Sequence, residues 1–312
     1  MMKFCSPITR LLRSAFVVFA LSTNTLHSAV PWIRLSTANF DIYTSRKVSQ
    51  AKDLLRSLED ARSCRTVFPG QPTSQLKPIR VIAFRSESEF APYRLPGHAS
   101  AYYLHAAGET YIVLQDASPE NDRAALHEYA HHLIRQCYPR LPLWLDEGLS
   151  DVFSTVKREG MEVVIGLPVE SRLDYLKQNG LALSLPALFQ TTRKSLASSD
   201  QENSNVAFYA ESWLLAHMLR FSPGYSPVFT SFLEALESQS DAIEALRETV
   251  HKSPEVVRDD LDRYLRMGKL PTQRVAVADG SVQPSSEARR ITDADVHIVL
   301  ADLLAALHDF SK

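Results

Sequence analysis

The chain has 312 residues, 45% of them apolar, and its 34 basic and 36 acidic side chains leave a formal net charge of -2. That length and apolar content suffice for one large or two small domains with a real core, and they exclude disorder as a global description. Charges that nearly cancel offer no basic surface to nucleic acid or to an anionic membrane.

At the N-terminus, Lys3, Arg10 and Arg13 precede the apolar run Ala15 to Leu21, and small residues follow at Ser28 and Ala29, the layout of a secretory signal. The run falls short of the about 20 apolar residues a membrane span needs. Residues 1–29 therefore read as a signal peptide, with an uncleaved anchor as the alternative, because a cut after Ala29 leaves His27 where a small residue is preferred. The mature chain is expected to begin near Val30 and to be periplasmic or secreted, tethered to the inner membrane, if at all, by this segment alone. Cys64 and Cys137 then remain; they could pair in an oxidising compartment or stay as buried thiols, and their number excludes a zinc site built on cysteines.

Beyond Val30, "WIRLSTANFDIYTS" has the β-branched and aromatic content of a strand pair broken at Ala38 and Asn39. Ala51, Leu54, Leu55, Leu58 and Ala61 then recur at helical spacing. Pro78 to Phe84 and Thr110 to Leu114 read as buried strands, and the Gly, Pro and aromatic content of "PYRLPGHASAYYLHAAGE" between them reads as an irregular surface loop. From Pro119 the chain turns helical, with Ser118 as N-cap, Pro119 in the first helical position and an end near Cys137. A second helix follows in "LWLDEGLSDVFSTV", then a hairpin at "MEVVIG", then helices around Leu173, Leu185, Val206 to Phe221, Ser226 to Leu236 and Pro254 to Arg266. "ADGSVQPSSEARR" has linker composition, and the chain ends in an amphipathic helix. The residues thus predict an α+β fold.

The chemistry is concentrated in "ALHEYAHHL". His127 and His131 lie four apart on a predicted helix, so both rings share one face and can share one ion. His-Glu-x-x-His is the zincin signature, in which the histidines hold zinc and the glutamate, here Glu128, activates water. A catalytic zinc needs a third protein ligand, and "LPLWLDEGLSDVF" supplies Glu147 after a Pro-containing turn that folds a second helix back on the first. Asp146 is the rival ligand. Asp151, four residues after Glu147, is placed to accept the second ring N–H of a ligating histidine. His132 points about 100° away from His131 and reads as packing.

These residues resemble the gluzincin metallopeptidases, the clan of thermolysin and the membrane-alanyl aminopeptidases. The fuller string "HEYAHHL…PLWLDEGLSDVF", with "FYAESWLLAHML" downstream, is similar to bacterial peptidase MA-like proteins, many of which carry trailing tetratricopeptide repeats. The resemblance implies that Glu147, directly before Gly148, is the third ligand and that Asp151 is its supporting aspartate. It implies a zincin-like two-lobed fold, with a mixed-sheet N-terminal lobe and a helical C-terminal lobe over residues 30–267; composition and pattern then give a linker at 268–290 and a terminal helix at 291–312 that could be a repeat remnant. It further implies one Zn2+ per chain, a peptide or protein substrate paired along strand "TYIVL", and an oxyanion donor from the C-terminal lobe, Tyr209 ahead of His217. Of the repeat array at most the final helix is recognisable, and the sequence has no Gly-x-Met-Glu-Asn element before the strand, which aminopeptidases use. The competing readings are a non-catalytic zinc-containing domain that binds peptides, which retention of a base at Glu128 argues against, and an interaction scaffold acting through the terminal helix.

Overall fold

A computed structural model of the chain describes residues 31–67, 77–95, 100–198, 202–238, 241–277 and 287–310. Residues 1–29, which the sequence reads as a signal peptide or anchor, lie outside the described residues. Among the described residues, no helix is long and apolar enough to cross a membrane. The fold is mixed α+β, as the sequence predicts.

β1 (Ile33–Ser36) and β2 (Phe40–Thr44) form the expected antiparallel pair, α1 (Val48–Ser63) crosses over, and β3 (Ile79–Ala83) joins β2 in parallel. After the short α2 (Glu87–Phe90) comes a departure from expectation. The stretch read as a loop contains β4 (Ala101–Ala106), antiparallel to β5 (Glu109–Leu114), and β5 in turn runs parallel to β3. The strands lie in the order β4-β5-β3-β2-β1. The outer strand is therefore β4, and "TYIVL", within β5, is an interior strand rather than the substrate edge. Alanines at both ends and His105 dilute the β propensity of β4, so only Tyr102, Tyr103 and Leu104 carried the signal.

Period-two alternation splits the sheet into two faces. On one, Leu35, Ile42, Val81, Ile112 and Leu114 pack against the apolar stripe of α1 and against Ala125, Leu126, Tyr129 and Leu133 of α3 (Pro119–Cys137). Ser118 caps α3 by accepting the Asn121 amide at 3.2 Å. Arg46, fully buried, ties that first turn to the sheet: its guanidinium bonds Asp122 at 2.5 Å, the Phe84 carbonyl at 3.1 Å and the Asp116 carbonyl. The histidine helix is thus fixed at its start as well as along its length.

A second core belongs to the helices that follow. α4 (Leu143–Phe153) is wholly buried from Trp144 to Phe153. A hairpin of β6 (Lys157–Glu159) and β7 (Glu162–Ile165) leads to α5 (Glu170–Asn179), α6 (Leu185–Gln190), α7 (Arg193–Ser198) and α8 (Glu202–Phe221). α9 (Phe229–Ser238), α10 (Ala242–Val250) and α11 (Pro254–Leu265) complete it, and β8 (Gln273–Ala276) adds a third strand to the hairpin. Trp144, Leu145 and Leu149 of α4 and Trp213, Leu214 and Leu215 of α8 form its centre, each at most 0% exposed.

After β8, β9 (Arg289–Arg290) pairs with β1 and extends the large sheet. α12 (Asp293–Phe310) lies across the sheet's other face, where Val296, Val299, Leu303 and Ala306 pack on Phe84, Tyr102, Leu104 and Val113. The terminal helix, amphipathic as predicted, is the cover of this sheet face.

Candidate metal centre

Helical spacing sets the first two donors. His127 and His131 stand one turn apart on α3 with their Nε2 atoms 3.1 Å apart. The turn at Pro139 to Pro142 brings α4 back against α3, and Glu147 Oε2 lies 3.4 Å from Nε2 of His127 and 3.6 Å from Nε2 of His131. Among the described residues, these three form the one cluster whose donor atoms all fall within 4.8 Å of one another.

The far side of each ring is held by a carboxylate. Asp151 Oδ1 lies 3.0 Å from Nδ1 of His127, and Asp146 Oδ1 lies 2.8 Å from Nδ1 of His131. An ionised carboxylate only accepts, so each Nδ1 carries the proton and each neutral ring turns a lone pair at Nε2 toward Glu147. Three acceptors facing one another at such distances repel unless a cation sits between them. Tetrahedral donors about 2.0–2.1 Å from zinc stand about 3.3 Å apart, and the observed spacings bracket that figure. Two imidazoles and a carboxylate, without thiolate, are a zinc donor set.

Without a metal, a proton meets the same demand. Burial lowers the pKa of His127, but its hydrogen bonds to Asp151 and Glu147 outweigh this and push it up to about 10. Burial likewise opposes ionisation of Glu147 and Asp151, yet the histidines, and for Asp151 also Arg172 and Arg123, hold both well below the usual carboxylate range. Asp146, Glu147 and Asp151 are only 7%, 5% and 2% exposed. Such buried anions persist only when paired.

Most residues singled out in the sequence meet in one cleft of about 530 Å³: His127, His131, Glu147, Glu128, Asp151 and Tyr209. Glu128 sits on its wall outside the donor cluster. Tyr209 reaches it from α8 with the guanidinium of Arg172 5.1 Å from its ring centre. Burial, reinforced by Glu147, raises the Tyr209 pKa and keeps its hydroxyl a donor. Asp146, weighed as a rival ligand, instead orients His131 from behind, because its oxygen faces Nδ1 and not Nε2. His132 packs on Tyr129 and Tyr103, as expected of a packing residue. The cleft's other wall is the edge strand: Gln115 N–H donates to the Ser100 carbonyl at 2.8 Å, so the alternation of an antiparallel ladder turns the backbone groups of Ala101 and Tyr103 away from β5.

Four residues that sequence reasoning left unassigned also line the cleft: Arg123, Arg135, Arg172 and Arg193. Two were readable, since Arg123, His127, His131 and Arg135 recur every fourth residue and must share one helical face. The other two come from α5 and α7, and nothing local in the sequence marks them.

His217, the second candidate donor, is instead a core residue: Nδ1 accepts from the Tyr264 hydroxyl at 2.7 Å and Nε2 donates to the Gly166 carbonyl at 2.8 Å. Burial pushes its pKa down to about 4. Because the folded value lies below the unfolded one of about 6.5, its stabilisation is full above that pH and is lost as pH falls toward 4. Wild type is expected to lose roughly 2 kcal/mol through this residue between about pH 7 and about pH 5. Urea unfolding at the two pH values should show a correspondingly smaller loss in His217→Gln; equal losses would remove the assignment.

Comparison with protein-family models and with curated proteins returns no match for this chain.

Proposed function

We propose that the chain is a gluzincin-type, zincin-like zinc metallopeptidase, exported from the cytoplasm, that hydrolyses peptide bonds of a peptide or protein substrate. One observation carries the reading: three lone-pair donors, His127, His131 and Glu147, converge while Asp151 and Asp146 satisfy both rings from behind. A helix surface rich in histidine for solubility has no reason to bury that arrangement beside a base-bearing cleft.

Bound by the three donors, zinc would polarise a peptide carbonyl and bring the pKa of water to about 7. The protein's residues do the rest. Ala101 and Tyr103 on β4 offer free backbone groups to an extended peptide, which adds to the sheet as a further strand. Glu128 takes a proton from the attacking water and passes it to the departing amine. Tyr209 donates a hydrogen bond to the oxygen on which negative charge develops. In this reading the sheet with α3 forms one lobe and the α4 to α11 helices the other.

Protein purified without chelator should contain one zinc per chain and should cleave members of an unbiased peptide library until the metal is stripped. Asp146→Asn and Asp151→Asn should each weaken zinc binding about 10- to 100-fold, because each ring exchanges a charged orienting acceptor for a weaker, neutral one. Absence of stoichiometric zinc, by elemental analysis, sinks the metal reading. Full-affinity binding in both variants removes only the orienting roles.

A further inference from the structure

Three of the four cleft arginines are committed to buried acids. Arg123 and Arg172 bond Asp151 at 3.4 and 3.0 Å, and Arg135 bonds Asp146 at 2.8 Å. Two of them are also fixed by aromatic rings, Arg172 over Tyr209 at 5.1 Å and Arg135 over Tyr103 at 5.9 Å.

Arg193 differs. Its side chain is 60% exposed and reaches in from α7 to Glu147 Oε1 at 3.1 Å, with Asp146 Oδ2 at 3.9 Å. Both acids already serve other groups: Asp146 holds His131 and Arg135, and Glu147 faces both Nε2 atoms. Glu128, Glu147 and Asp151 on the wall, with Asp146 behind them, balance the four guanidiniums charge for charge. A divalent ion on the donor cluster therefore leaves the cleft with two uncompensated positive charges. It also draws on the carboxylate that Arg193 borrows and repels the guanidinium across it.

Resting on the metallopeptidase reading above, we infer that Arg193 is a substrate-anchoring residue, and that the cleft selects peptides bearing a carboxylate beside the bond presented to the donor cluster. An acidic side chain and a free C-terminus supply the same group. A planar guanidinium fork matches either one in two parallel hydrogen bonds.

The test reads binding and cleavage separately. Four fluorescent peptides of one sequence, with Glu or Gln beside the central bond and a C-terminal acid or amide, are titrated by anisotropy against zinc-loaded Glu128→Gln protein. At low salt the carboxylate-bearing member of a pair should bind about 10-fold tighter than its neutral twin. The Glu/Gln pair reports an acidic side chain and the acid/amide pair a C-terminus. Adding Arg193→Gln should bring the ratio close to one, Arg193→Lys should retain part of it, and salt should shrink it. Equal binding within both pairs, no binding of any peptide, or a preference that survives Arg193→Gln overturns the inference. Cleavage of all four peptides at one rate by the unmodified protein overturns it while leaving the peptidase reading intact. Arg193-dependent binding of acidic peptides, with no cleavage of any, supports the anchor and sinks the peptidase.

Discussion

Glu128→Gln is expected to fold, to hold one zinc and to lose about 10²- to 10⁴-fold in peptide hydrolysis, the contribution of a positioned general base. The substitution keeps the side chain's shape and removes only its ability to accept and return a proton. Glu128 lies outside the donor cluster, so the metal has no reason to leave. Its carboxylate makes no hydrogen bond or ion pair among the described residues, so the substitution breaks no contact that holds the fold. Zinc content, peptide affinity and turnover measured on the same preparation separate the possibilities. Unchanged turnover would mean that another group is the base. Wild type and variant equally inert across the library, with both binding peptide, would favour the binding-domain reading.

What the sequence revealed about the site followed from strict local geometry. A period of four on a helix puts His127 and His131 on one face whatever the rest of the chain does, and the same rule carried Asp151 to the face of Glu147. The role of Asp146 was harder, because neighbours on a helix point about 100° apart and which of two adjacent acids meets the metal depends on how α4 is rotated against α3. That rotation is fixed by the burial of Trp144, Leu145 and Leu149 against α8, a long-range property. β4 was missed for a related reason. A strand whose ends are alanines is held by its ladder to β5 and by the packing of Tyr102 and Leu104 beneath α12, more than by propensity. Arg172 and Arg193 come from elements placed only by the completed fold. Helices, strands with strong alternation and a sequence-local motif are therefore readable early, and the charges that surround the motif are not.

Gly148→Ala tests whether that long-range placement governs the site. In an exposed helix the change would stabilise the protein by about 1 kcal/mol, since alanine restricts the unfolded backbone and favours the helix. Here the sign should reverse. A Cβ at Gly148 would stand 2.3 Å from the Ser212 carbonyl oxygen and 2.9 Å from the Ala216 Cβ on α8. Neither neighbour can rotate away, one being backbone and the other the first atom of its side chain, so α4 and α8 must separate. Overpacking of this kind costs about 3 kcal/mol at the upper end of its usual range, which for a chain of this size lowers the melting temperature by roughly 5 °C. The displaced helix also carries Asp146, Glu147 and Asp151, so zinc affinity of the fraction still folded should fall as well. Ala216→Gly added to the variant relieves one contact and leaves the carbonyl clash, so it should restore only part of the loss. A Gly148→Ala protein that melts with wild type and binds zinc as tightly would show that α4 has room to move, and that the approach of α4 to α8 is not what sets Glu147 against the two histidines.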